Sequence, residues 1–349
     1  MENLSVWANA ALFLVAGATI WWAGTRLEHD ANGIARRTGL GHAFTGMLLL
    51  AAATSLPEVA TTVTAVAILD NPTLAVHNLL GGVALQTAIL VVADVVKPRR
   101  GSLTFFSPRF ILLIEGLGVV LLLQITIAGI TARGVPTIGP VSTWIIALAT
   151  AYLLLMYFVY RDRGHSRWTP TRVDDVPAEV RRENSTSDRT DERAAPAPWA
   201  SFAAMSVLVL AGGWLATQTA DSLAEQTGLG SAFLGATALA AATSFPELST
   251  TIAAVRNDRY IVAISNVFGS NAFDISLLVI AELLYTSGTI FANVESSVVF
   301  AATIGAVMTC LYLWGLMERQ NRTILRLGWD SAAAVLVYIG GVAVLYVIQ

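Results

Sequence analysis

An all-α integral membrane fold is what this sequence predicts, with ten transmembrane helices forming two inverted five-helix repeats and with helices 2, 3, 7 and 8 broken. Three observations predict it: a composition suited to lipid, ten apolar stretches of spanning length, and one polar motif that occurs twice within them. Charged residues are only 13% of the 349 positions and apolar residues 55%, with a mean hydropathy of +0.64. A water-soluble domain carries about 25% charged residues, so lipid rather than water is the solvent that fits this chain.

The elements follow from the need for about 20 apolar residues to cross a hydrocarbon core. The first span is Val6 to Gly24; Glu2 and no basic residue precede it, so it reads as a retained helix and not as a signal peptide. The second and third are Gly41 to Ile68 and Thr73 to Val96, holding Pro57-Glu58 and Gly81-Gly82. The fourth, Phe110 to Ile130, contains Glu115, and the fifth is Val141 to Tyr160. Residues 161–198 follow, rich in Arg, Asp, Glu, Pro, Ser and Thr without apolar periodicity, which predicts a polar, mostly disordered cytoplasmic linker. The chain then divides into a first repeat over 1–160 and a second over 199–349. The second half supplies Trp199 to Gln218, Ser231 to Val255 with Pro246-Glu247, Tyr260 to Tyr285 with Gly269-Ser270, Val298 to Met317 and Ser331 to Val347. The only cysteine, Cys310, lies in the ninth span and is expected to be a small buried hydrophobe. Trp21, Trp22, Trp144, Trp199, Trp314 and Trp329 fit interfacial aromatic belts.

Basic residues sort by loop. Numbering the loops through ten spans puts 20 of the 21 Lys and Arg on one side and Arg133 alone on the other. Cytoplasmic loops are the basic ones, so both termini are expected outside the cytoplasm, in a multi-pass plasma-membrane protein.

The repeated motif comes next. Gly39 to Glu58 aligns without gaps on Gly228 to Glu247, sharing Ala-Ala-Ala-Thr-Ser-x-Pro-Glu at the end, and His77 to Gln86 aligns on Ser265 to Asp274. Five spans separate the copies, and an odd offset inverts one against the other. The lead-in residues Arg36 and Arg37 become Glu225 and Gln226 in the second copy, as a change of side requires. Inverted repeats with interrupted helices are associated with secondary transporters that bind substrate near the midplane.

An ionisable residue at that depth costs about 2.5 to 3.5 kcal/mol even on insertion scales, so Glu58 and Glu247 call for a functional reading. Each follows a proline, which removes a backbone hydrogen bond and displaces the carbonyl four residues earlier, at Ala53 and Ala242. Thr54 and Ser55 lie four and three residues before Glu58, and Thr243 and Ser244 stand likewise before Glu247, so hydroxyl and carboxylate oxygens share a helix face. In the companion spans, Gly81-Gly82 and Gly269-Ser270 are expected weak points, with Gln86 and Asp274 four residues on from Gly82 and Ser270. All these are hard oxygen donors of the kind calcium prefers, without the sulfur or imidazole that zinc or copper would favour. His42 and His77 flank the motif and are expected to be solvated or to pair at helix ends; Asp94 and Glu282, at matching repeat positions, are expected to do the same.

Ala53-Thr54-Ser55-Leu56-Pro57-Glu58, Ala242-Thr243-Ser244-Phe245-Pro246-Glu247 and Ser265-Asn266-Val267-Phe268-Gly269-Ser270-Asn271-Ala272-Phe273-Asp274 together resemble the two motifs of the sodium/calcium exchanger superfamily, in both halves of the chain. The resemblance implies ten helices and a cation antiporter, not an enzyme. It implies no cofactor and no nucleic-acid partner, with calcium and sodium as the transported ions. It places Glu58, Glu247, Thr54, Ser55, Thr243, Ser244, Ser270 and Asp274 around a shared ion site reached alternately from each side, and Gln86 stands where the family carries Asn or Asp. The first copy departs from the pattern at Gly82 and Val83, where the family usually has Ser-Asn. Exchange driven by protons, or with potassium, manganese or magnesium, and a non-transporting cation sensor are the alternatives that flux and binding measurements separate.

Overall fold

The computed structural model describes residues 4–38, 54–97, 101–107, 109–132, 137–138, 141–162, 199–292, 297–324 and 326–348. Residues 39–53, which hold His42 and most of the first motif copy, and residues 163–198 of the polar linker lie outside the described residues. The chain is nearly all helix. In order it forms α1 (Val6–Thr38), α2 (Leu56–Val63, continued as a π-turn over Thr64–Ile68), α3 (Pro72–Val96), α4 (Phe110–Thr131) and α5 (Thr143–Asp162). The second half forms α6 (Trp199–Thr227), α7 (Gly230–Leu234, then a π-turn over Gly235–Leu239), α8 (Ala240–Thr243), α9 (Phe245–Arg256), α10 (Tyr260–Leu284), α11 (Ser297–Glu318) and α12 (Trp329–Ile348). Eight of these helices are long and apolar enough to cross a membrane, and Leu56–Ile68 and Gly230–Thr243 are shorter apolar helices.

Two antiparallel ladders of two residues per strand depart from the all-helical expectation. β1 (Thr137–Ile138) pairs with β2 (Val141–Ser142) between α4 and α5, and β3 (Thr323–Ile324) pairs with β4 (Leu327–Gly328) between α11 and α12. Strands of two residues are too short for alternation to mark them in the sequence.

α1 and α6 run well past their predicted apolar ends and pack along each other. Ala23, Leu27 and Ala31 meet Val209 in that seam, and Asp30 accepts a hydrogen bond from Ser201 while pairing with Arg26 at 3.7 Å. Hydropathy alone missed the extensions because their outer faces are polar. α3 and α10 are the central pair: they pack against each other and against α11 and α4, and most residues of α3 are buried.

The expectation that helices 3 and 8 are broken is corrected. α3 and α10 run without interruption through Gly81-Gly82 and Gly269-Ser270. Glycine keeps its N–H, so it weakens a helix by about 1 kcal/mol without removing a bond, whereas proline removes one. Gly81 serves close packing instead, since a Cβ there would lie 2.4 Å from the Cα of Ala236. Cys310 is also corrected: it is exposed on the outer surface of the bundle. Lipid accepts a small apolar group as readily as a protein core does, so an apolar segment does not reveal which side faces inward. Trp21, Trp22, Trp199 and Trp314 are exposed on that same surface, consistent with anchoring.

Candidate functional site: a buried cluster of unpaired oxygens

The two prolines break their helices in the same way. Ser55 precedes α2 with φ −92° and ψ 8°, and Ser244 separates α8 from α9 with φ −84° and ψ 5°. Each proline is the second residue of the helix that follows, where the missing N–H has no partner to lose. The glutamate is therefore in the first turn of a new helix, at its positive end. Long helices close over the breaks: a Cβ at Gly24 of α1 would stand 2.5 Å from Pro246 Cγ, and one at Gly213 of α6 would stand 2.6 Å from Ala60 Cβ and 3.3 Å from the Pro57 carbonyl oxygen.

Glu58, Glu247 and Asp274 are all buried and lie near enough for their charges to act on one another. The hydroxyl side chains approach crosswise, Thr243 toward Glu58 and Thr54 toward Glu247. These approaches fall short of full hydrogen-bond geometry, because all four glutamate oxygens are buried without a partner among the described residues. Ser55 Oγ, Ser244 Oγ, Asp274 Oδ1, Gln86 Oε1, Asn78 Oδ1 and Asn271 Oδ1 are in the same condition. Ten oxygens left this way are unusual, since buried polar atoms in folded proteins are overwhelmingly satisfied. Carboxylate, hydroxyl and amide oxygens are the donors a hard cation takes. Among the described residues no three His, Cys, Asp or Glu side chains form a ready metal cluster.

Gln86 and Asp274 meet directly across α3 and α10: Gln86 Nε2 donates to Asp274 Oδ2 at 2.8 Å. Ser270 is buried one turn before Asp274. Its repeat counterpart, Gly82, opens on space, with nothing within 4 Å of where a Cβ would be. The two helices thus differ at this position, with a hydroxyl at Ser270 of α10 and none at Gly82 of α3.

A supporting shell repeats as well. Asn78 Nδ2 donates to Thr61 Oγ1 at 3.0 Å, and Thr61 Oγ1 donates to the Glu58 carbonyl at 3.0 Å. Asn266 Nδ2 donates to Thr250 Oγ1 at 3.0 Å, and Thr250 Oγ1 donates to the Glu247 carbonyl at 3.0 Å. Each chain of bonds ties a glutamate-bearing helix to its central neighbour. Sequence reasoning missed Thr61 and Thr250, although extending the gapless alignment three residues past the glutamates finds them. Asn271 adds a bond from Nδ2 to Thr87 Oγ1 at 3.1 Å, across α10 and α3.

Several flanking expectations are resolved. His77 is buried, not solvated: it bonds the Thr73 carbonyl through Nδ1 and Ser297 Oγ through Nε2, each at 2.9 Å. Since the carbonyl can only accept, Nδ1 carries the proton and Ser297 donates to Nε2. Glu115 makes a tertiary bond, accepting from Ser265 Oγ at 2.8 Å. Asp94 and Glu282 are buried helix-end partners, described further below.

The comparisons with known proteins agree with this fold. The inner membrane protein YrbG of Escherichia coli (strain K12) is 24% identical over 316 residues, covering 90% of this chain and 91% of its own. The H+/Ca2+ exchanger CAX has a similar fold, with a TM-score of 0.62 at 13% identity, over 97% of this chain and 85% of that one. The sodium-calcium exchanger NCX_Mj gives a TM-score of 0.58 at 16% identity, over 97% and 99% of the two chains. The sodium/calcium exchanger protein family itself matches residues 8–168 and 197–347. With nearly its whole length matched, and with buried oxygens gathered at paired helix breaks, the chain belongs to the sodium/calcium exchanger protein family of membrane cation/calcium antiporters.

Proposed function

We propose that this protein exchanges sodium for calcium across the plasma membrane by alternating access at one midplane site. The observation that carries the reading is the crossed approach of Thr54 and Thr243 to two buried glutamates whose four oxygens have no partner among the described residues. Glu58, Glu247 and Asp274 hold the divalent ion, with Thr54, Ser55, Thr243, Ser244, Ser270 and Gln86 contributing neutral oxygens. Three carboxylates bind one calcium with a negative charge left over, or take up sodium ions in its place. The path is ten spans in two inverted repeats, 1–160 and 199–349, joined by the cytoplasmic linker 161–198, with both termini outside. The nearly identical helix breaks at Ser55 and Ser244 and the 20-to-1 sorting of basic residues support that layout.

Likeness in fold to the H+/Ca2+ exchanger CAX as well as to NCX_Mj supports a second reading, in which protons replace sodium. Purified protein in liposomes separates the two. Calcium uptake driven by an outward sodium gradient at equal pH on both sides is the expected result. Uptake that ignores sodium and follows an imposed pH gradient establishes proton coupling, and calcium binding without flux under either gradient removes the transport reading.

A further inference from the structure

Asp94 and Glu282 stand at equivalent repeat positions, eight residues beyond Gln86 and Asp274, near the C-terminal ends of α3 and α10. Both are buried. A carboxylate in the last turn of a helix faces the negative end of its dipole, so helix stability does not account for either residue. Their partners do. Glu282 Oε1 accepts the Ser142 N–H at 3.0 Å and Oε2 accepts the Ile290 N–H at 2.7 Å. Asp94 Oδ1 accepts the Leu103 N–H at 2.8 Å and Lys97 Nζ at 2.6 Å, and Oδ2 accepts the Gly328 N–H at 2.5 Å.

The arrangement is crossed. Each carboxylate holds the connection that follows its own helix and, at the same time, a two-residue β-ladder from the other half of the chain. Glu282, late in the sequence, grips β2 between α4 and α5; Asp94, early in the sequence, grips β4 between α11 and α12. The ladders are repeat elements too, each opening on Thr-Ile at Thr137-Ile138 and Thr323-Ile324. Eight helical residues span about 12 Å, so a fixed C-terminal end fixes the depth and rotation of the oxygens two turns away.

We propose that Asp94 and Glu282 are positioning residues, crossed latches that pin the ends of α3 and α10 to the opposite half of the chain and so set where Gln86 and Asp274 stand. The inference rests on the cation-site reading above for its consequence in binding, but not for its geometry.

Glu282→Gln is the informative change, because either orientation of the amide keeps one acceptor and turns an NH2 group toward the other N–H. Full-length protein in detergent is compared with wild type by hydrogen–deuterium exchange and by equilibrium binding of radioactive calcium. The amides of Ser142 and Ile290 and those of the α10 turn bearing Asp274 are expected to exchange about tenfold faster, as local opening becomes easier. Half-saturating calcium is expected to rise about tenfold at an unchanged number of sites, the size expected for losing one hydrogen bond to a charged group. A merely structural role would instead reduce the fraction of protein that binds while leaving half-saturation where it was. Glu282→Asp, which keeps the charge and both oxygens on a shorter stem, is expected to fall between the two and serves if the first variant does not fold. Unchanged exchange in α10, or unchanged half-saturation where wild type binds calcium, overturns the latch. Wild-type protein that binds no calcium overturns the cation site instead, and the exchange data then decide the latch alone.

Discussion

Glu247→Gln tests the site most directly, because the reading requires effects of opposite sign on stability and on binding. Glu247 is fully buried, both its oxygens lack a partner among the described residues, and Asp274 adds a like charge nearby. Removing an uncompensated buried charge stabilises a fold, here by about 1 to 4 kcal/mol, the order found when a buried ion pair is replaced by apolar residues. The variant should therefore melt at a higher temperature than wild type in a chelator. Calcium should reverse the order. A ligand at one hundred times its Kd stabilises the native state by about 2.7 kcal/mol, and a variant that no longer binds gains nothing. Thermal unfolding followed by intrinsic tryptophan fluorescence, in chelator and in a calcium series, measures both terms, and calcium flux in liposomes should fall to background. Equal calcium stabilisation of variant and wild type, or flux at the wild-type rate, would refute the assignment of Glu247 to the ion site.

Further outcomes follow from the packing. Gly81→Ala should destabilise by about 1 to 3 kcal/mol through overpacking, because its Cβ would lie 2.4 Å from Ala236 Cα; a lowered melting temperature checks this. Gly82→Ser should fold with stability within about 0.5 kcal/mol of wild type, since nothing lies within 4 Å of the new Cβ. It gives α3 the hydroxyl that α10 has in Ser270, and sodium should then compete with radioactive calcium at lower concentration. Lys97→Met should cost about 3 kcal/mol or more, because it strips one partner from a buried pair 2.6 Å apart; chemical denaturation measures it.

The sequence by itself determined the membrane class, the apolar helices and the motif. Apolar runs of spanning length report lipid directly, and a carboxylate after a proline in such a run is too costly to be incidental. For that reason Thr54, Ser55, Glu58, Thr243, Ser244, Glu247 and Asp274 stood out as candidates before any fold was known. The helix breaks at Pro57 and Pro246 were legible too, because proline acts on its own backbone. Tertiary structure decided whatever depends on what a residue touches. Gly81 and Gly82 look alike in sequence, yet one carries the closest approach of a neighbouring backbone and the other opens on space. Cys310 faces outward although its segment is apolar, since lipid and core select the same side chains. The partners of Asp94 and Glu282 lie up to 234 residues away, at the N–H of Gly328, and no local pattern announces a carboxylate that binds backbone from the other half of its chain. Local chemistry is written in the order of residues; the crossing of the two halves exists only once the helices have packed.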